Sequence, residues 1–203
     1  MISKRYTISR MCVTFKEKPM TDSTNPSAIR SQKEITEALF TLMRKYPYNE
    51  ITVKQIILEA RLAKKTFYRN FRSKDDVLRS MIKHILSEYF DVVNNAQGEM
   101  LATVFDYVER NRELLLLLGK NNMLHVILQC TNEYLPSIRN ERLSVENPSI
   151  PLFEGLDQDY LMAFNIGAVW NVAALWVHRG MTDDPDEIRK ALSEYFERIK
   201  MFM

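Results

Sequence analysis

The chain has 203 residues, 46% of them hydrophobic, which is enough to bury a real core in one ordinary domain or two small ones. Five glycines and seven prolines exclude collagen-like, low-complexity and turn-rich β architectures, and two cysteines (Cys12 and Cys130) exclude a disulfide framework or a multi-cysteine zinc site and point to a reducing, cytoplasmic setting. The net charge of +2 conceals a division: residues 1–90 hold 18 Lys+Arg against 9 Asp+Glu, and residues 91–203 hold 10 against 17, as in a basic face for polyanions joined to a module with another task.

The stretch to Pro26 lacks a period and carries Lys4, Arg5, Arg10, Lys16 and Lys18 without the apolar run of a secretory signal. Residues 1–26 read as a mobile extension, with Met20 a second candidate start beside Met1. From Ser27 the pattern is helical, with Ile35, Ala38, Leu39, Leu42, Met43 and Tyr46 on one stripe, and Pro47 stops it. Thr52 is placed to cap a short second helix that turns Val53, Ile56, Ile57 and Ala60 inward. A third short segment carries Phe67, Tyr68 and Phe71. Ser73, with Asp76 three residues on, opens a long fourth helix whose stripe runs from Val77 to Phe90.

The distal half is also helical. Leu101, Val104, Phe105 and Val108 form one stripe, Asn111 restarts a helix through Leu114–Leu118, and Gly119 is placed as its C-terminal stop. Met123 to Tyr134 reads as a further helix ended by Pro136, and residues 136–156 as the principal loop. Asp157 to Met181 is long and strongly apolar and ends at Gly180, and Thr182-Asp183-Asp184-Pro185 opens the last helix. No uninterrupted apolar run approaches the ~18 residues of a membrane span. The fold class predicted is all-α: an N-terminal three-helix helix-turn-helix domain over 27–73, then a C-terminal helical domain over 74–203, with the helix from 74 bridging the two.

Residues 52–71, TVKQIILEARLAKKTFYRNF, match the helix-turn-helix plan. Ile56, Ile57, Ala60, Leu62, Phe67 and Phe71 supply a buried side, whereas Lys64, Lys65, Thr66, Tyr68 and Arg69 supply donors on the other. A helix of ~8 residues is about 12 Å long, the width of the DNA major groove. Lys64 and Lys65 are candidates for base edges, since a Lys can donate to guanine O6 and N7. Arg30, Lys33 and Lys54 are candidates for the flanking phosphates. The competing reading of each basic residue is solvated surface, and of Tyr68 a half-buried packing tyrosine.

Over residues 28–90 the chain resembles the TetR family of bacterial transcriptional regulators, on ITVKQI, the TFYxxF core and SKDDVL opening the fourth helix. YLMAFNIGAVWNVAALWVHRGM followed by DDPDEIRKAL is similar to the distal helices of a Firmicute-type branch. The resemblance implies double-stranded DNA as partner, with a palindromic operator, a homodimer paired through its last two helices, and a small-molecule inducer. It also implies phosphate contacts for Tyr68 and Lys74, with Thr66 near phosphate or base. A repressor is expected; an activator, or a helical protein keeping the fold but acting through protein partners, are the alternatives. Three positions depart from the family pattern. Arg61 stands where Gly is frequent in the turn, Ala63 replaces a Ser or Asn cap, and Asn70 replaces His or Tyr.

The 157–181 helix is apolar on more than one face, and its small residues permit close helix approach, so Ala163, Gly167, Ala174 and His178 are assigned to a dimer interface. The alternative is the central helix of a monomeric core. Phe105, Met123, His125, Gln129, Phe164, Asn165 and Trp170 mix apolar bulk with polar handles, as pocket walls do, although ordinary core has the same composition. His84, His125 and His178 form no HExxH pair, neither cysteine lies in a CxxC, and GxxxxGK and GxGxxG loops are missing, so no enzyme, metal or cofactor is expected.

Overall fold

The computed structural model describes residues 25–94, 100–142, 155 and 157–200. Among the described residues the chain is helical and has no strand, in agreement with the all-α class. The helices are α1 (Pro26–Lys45), α2 (Val53–Glu59), α3 (Lys64–Asn70), α4 (Lys74–Asn94), α5 (Met100–Arg110), α6 (Arg112–Lys120), α7 (His125–Arg142), α8 (Gln158–His178) and α9 (Pro185–Lys200), with a 3₁₀ turn at Tyr48–Glu50. Of the extension expected over residues 1–26, residues 1–24 lie outside the described residues, whereas Asn25 caps and Pro26 opens α1; most of the expected 136–156 loop also lies outside the described residues. The chain packs as two units that divide inside α4, between His84 and Ile85, further along than the expected boundary at the start of that helix.

In the first unit, α1 begins at an Asn25 cap whose side chain accepts from the Ser27 N–H at 3.0 Å, with Pro26 in the first turn. It ends at Lys45, because Tyr46 ahead of Pro47 is extended (φ −130°, ψ 148°). Its inner face of Ile35, Leu39 and Met43 is buried, and α2 and α3 pack on it through Ile56, Phe67 and Phe71. Thr52 closes a capping box with Gln55: the Gln55 N–H donates to Thr52 Oγ1 at 3.3 Å and the Thr52 N–H donates to Gln55 Oε1 at 2.7 Å. Ser73 Oγ accepts from the Asp76 N–H at 3.1 Å, while the Asp76 carboxylate accepts from the Arg72 N–H at 2.8 Å.

In the second unit, α8 packs on α6 and α7, and α9 packs on α5. Trp176 is sealed against Phe105, ring centroids 5.9 Å apart, and its indole N–H donates to the Asp183 carbonyl at 3.0 Å. Arg112 ties the same turn down, donating to the Met181 carbonyl at 2.6 Å. Tyr89, Phe90, Tyr107 and Tyr134 form a chain of ring contacts from α4 through α5 to α7. Burial, with Glu88 adding to it, raises the Tyr107 phenol, so the hydroxyl stays neutral and donates to the Ile85 carbonyl at 2.7 Å.

Three helices end in the same way. After α2, the Leu62 N–H reaches back to the Ile57 carbonyl and the Arg61 N–H to Leu58; after α6, Met123 reaches Leu118 and Asn122 reaches Gly119; after α8, Met181 reaches Trp176 and Gly180 reaches Val177. These are Schellman pairs, and their left-handed residues are Arg61 (φ 54°), Asn122 (φ 57°) and Gly180 (φ 72°). Gly180 was expected there, but Gly119 is not the stop of its helix. Asparagine tolerates the left-handed region, so α6 continues to Lys120 and closes on Asn122. Gly119 instead lets α8 approach α6: a Cβ on it would stand 3.1 Å from Val177 Cγ1. Pro136 does not end its helix either, since α7 runs on to Arg142. A proline inside a helix forfeits one backbone hydrogen bond without dictating where the helix stops.

Gly119→Val is therefore expected to destabilise the second unit by about 1–3 kcal/mol through overpacking. Urea titration followed by far-UV circular dichroism reads the shift in midpoint, and an unchanged midpoint would show that Val177 yields freely.

Candidate nucleic-acid interface

The turn between α2 and α3 takes the backbone through the left-handed region at Arg61, φ 54°, where the family pattern has Gly. α3 then starts at Ala63, which has N-cap geometry (φ −73°, ψ 146°) but no side-chain oxygen to receive the free N–H groups. Its seven residues, about 10 Å of helix, are held from beneath. Phe67 and Phe71 are sealed in the core, and Asn70 ties the helix end by donating to the Thr66 carbonyl at 2.7 Å and accepting from Gln32 of α1 at 3.4 Å.

The opposite face is open and basic. Lys64, Lys65, Tyr68 and Arg69 are all exposed, with Tyr68 at 50%, and Thr66 is half-buried. Tyr68 stands edge-on to Phe67, centroids 5.3 Å apart, so one residue of the pair anchors the helix and the next presents a phenol to solvent. The Lys64 ammonium lies 5.9 Å from the Tyr68 ring centroid, a position within cation–π range. Arg72, just beyond the helix, is also exposed; sequence reasoning missed it because it lies outside the helical period. Residues 60–74 contain no acidic residue, and among the described residues no ion pair is formed by Lys54, Lys64, Lys65, Arg69 or Arg72.

The flanking candidates differ. Lys54 is exposed on α2. On α1, Arg30 pairs with Glu34 at 2.9 Å and Lys33 with Glu37 at 3.9 Å, both exposed i,i+4 pairs whose worth is small and which salt or a competing phosphate can open. Lys74 is turned inward: its ammonium donates to the carbonyls of Tyr48 at 2.7 Å, Ile51 at 2.8 Å and Asn49 at 3.2 Å, and lies 4.6 Å from the Tyr48 ring centroid. The Tyr48 hydroxyl in turn donates to Asp75 at 2.6 Å; burial first, and then Asp75, raise its pKa, keeping it protonated.

The pocket candidates differ in exposure. Phe105 is core, whereas Phe164 is 72% exposed and Asn165 exposed on α8; His125 and Gln129 are exposed on α7, and Met123 and Trp170 are half-buried. Of the interface candidates, Ala163 and His178 are exposed, Gly167 and Ala174 half-buried, and nothing lies within 4 Å of a Cβ built on Gly167. Among the described residues no group of His, Cys, Asp and Glu could hold a metal ion.

Ala63→Ser supplies the missing cap, and is expected to raise stability by about 1 kcal/mol. Thermal unfolding checks it, and no gain would show that the first turn of α3 is already satisfied.

No curated protein matches the chain. Residues 35–81, from α1 into α4, match the family model for bacterial regulatory proteins, tetR family. That stretch of the first unit is thus similar to the DNA-binding domain of bacterial transcriptional regulators of the TetR family, with α2 and α3 in the helix-turn-helix arrangement.

Proposed function

We propose that the protein is a cytoplasmic, homodimeric repressor that binds a palindromic operator and is released from it by a small-molecule inducer. The observation that carries the reading is the open face of α3, where Lys64, Lys65, Tyr68 and Arg69 stand over a sealed core and no acidic side chain offsets them. Lys64 and Lys65 are assigned to base edges in the major groove; Tyr68, Arg69, Thr66, Lys54 and, when their surface pairs open, Arg30 and Lys33 are assigned to phosphate. The first unit is the reader and the second the regulatory and dimerisation module. The likeness of the distal sequence to a Firmicute-type branch is part of this reading.

The dimer is supported by α8. Tyr160 (78% exposed), Phe164, Ala168, Asn171, Leu175 and His178 follow one another at helical spacing along an open stripe, while Ala173, Trp176 and Val177 face the core. By length and composition α8 could also cross a membrane. Its packing on α6 and α7 and the Trp176 hydrogen bond favour a second copy as the cover for the open stripe. Tyr195 and Phe196 on α9 are further exposed aromatic side chains. Two copies place two recognition helices on one duplex, about one helical turn apart. An inducer acts by preferring the DNA-incompetent conformation, and Met123, His125, Gln129 and Trp170 are its candidate contacts in the second unit.

Selection of bound duplexes from a random pool is expected to return a palindrome, and weak binding without sequence preference would overturn the reading. Lys65→Ala is expected to cost about 1–3 kcal/mol of discrimination at one base pair in each half-site. An equal loss on every duplex would move Lys65 to the phosphate group. Sedimentation at micromolar concentration is expected to give a dimer, and Phe164→Glu with Leu175→Glu a monomer with weakened operator binding; a wild-type monomer would remove the dimer from the reading.

A further inference from the structure

We propose that Lys74 is a positioning residue for DNA recognition and makes no phosphate contact, an inference that rests on the DNA-binding reading above. An ammonium has three N–H donors. Those of Lys74 meet three carbonyl oxygens, of Tyr48, Asn49 and Ile51, between 2.7 and 3.2 Å away, and the charge also lies against the Tyr48 ring. A phosphate could take a donor only by stripping a carbonyl of its charge-assisted partner.

The electrostatics of the neighbouring turn point the same way. The first turn of α4 carries Asp75 and Asp76, one accepting from the Tyr48 hydroxyl and the other from the Arg72 N–H. The two carboxylates offset the charges of Lys74 and the neighbouring Arg72, so this helix start carries no net positive side-chain charge to draw a phosphate toward its free N–H groups.

What Lys74 holds is the departure point of α2. Ile51 is buried and directly precedes Thr52, whose capping box with Gln55 starts the helix. The clasp has two strands: the ammonium gathers the carbonyls at the end of the 3₁₀ turn, and the Tyr48 hydroxyl returns to Asp75 on the same turn of α4. Residues 48–52 are thereby fixed to the start of α4, and α2, which packs against α3, leaves from a fixed point. Loss of the clasp alters the angle at which α3 meets the groove without removing any group that touches DNA.

The test compares the selected operator with a scrambled duplex across a salt series, using the wild-type chain, Lys74→Met and Tyr48→Phe well below their unfolding temperatures. Lys74→Met is expected to bind the operator about tenfold more weakly, the scrambled duplex as before, and to keep the wild-type slope of log K against log salt. Tyr48→Phe, which changes no charge, is expected to lose operator affinity in the same direction. A phosphate contact would weaken both duplexes together and flatten the slope by about 0.9, with Tyr48→Phe silent, and that result would overturn the proposal. Unchanged affinity in both variants would overturn it equally. If Lys74→Met does not fold, Tyr48→Phe carries the comparison alone. Faster amide hydrogen exchange at residues 51–56 in either variant reports the clasp without DNA, so a protein that binds no operator would sink the DNA reading and leave the clasp standing.

Discussion

A helix of seven residues does not persist alone in water, because the cost of nucleating it is not recovered over so few hydrogen bonds. Both α2 and α3 are that short, so the surface they offer exists only through what they bury. Ile56 and Phe67 are completely enclosed and Phe71 nearly so, and each such side chain contributes roughly 1.5–3 kcal/mol against α1. That anchorage lets the other face of α3 be polar and charged throughout, with Tyr68 beside Phe67 at the join between the two.

The charge division has a sharper form in three dimensions than along the chain. Arg30 and Lys33 on α1 stand one turn from Glu34 and Glu37 and are partly neutralised, whereas among the described residues Lys64, Lys65 and Arg69 of α3 form no ion pair. Three cations without an ion pair thus share one short helix.

Helix starts were legible in the residues, because a cap acts within three or four positions. Thr52 and Ser73 each accept a hydrogen bond from the backbone N–H three residues on, whereas Asn25, read as part of the extension, proves to cap α1 in the same way. Helix ends were less so. Gly119 and Asn122 competed for one left-handed position, and the choice fell to Asn122 while packing against Val177 claimed Gly119. Pro136 was overridden by its helix. The exposed face of α3 could be read from the spacing of Phe67 and Phe71, but the partners of Lys74 could not, since its acceptors lie 23 to 26 residues away. The side taken by Phe164 was not legible either: α8 is apolar all round, so periodicity cannot say whether Phe164 faces the core or the open side.

Arg61 separates two properties that usually travel together. An exposed residue in a surface turn is ordinarily free to vary, since nothing packs on it. Here the backbone at φ 54° sets the terms, and any side chain with a Cβ is strained by about 1–2 kcal/mol. Gly, Asn and Asp fit this site at least as well as Arg, while Val, Ile and Thr are excluded although their side chains would meet only water. Substitution patterns at this position are thus governed by the main chain, and a tolerance map drawn from solvent exposure would misplace it.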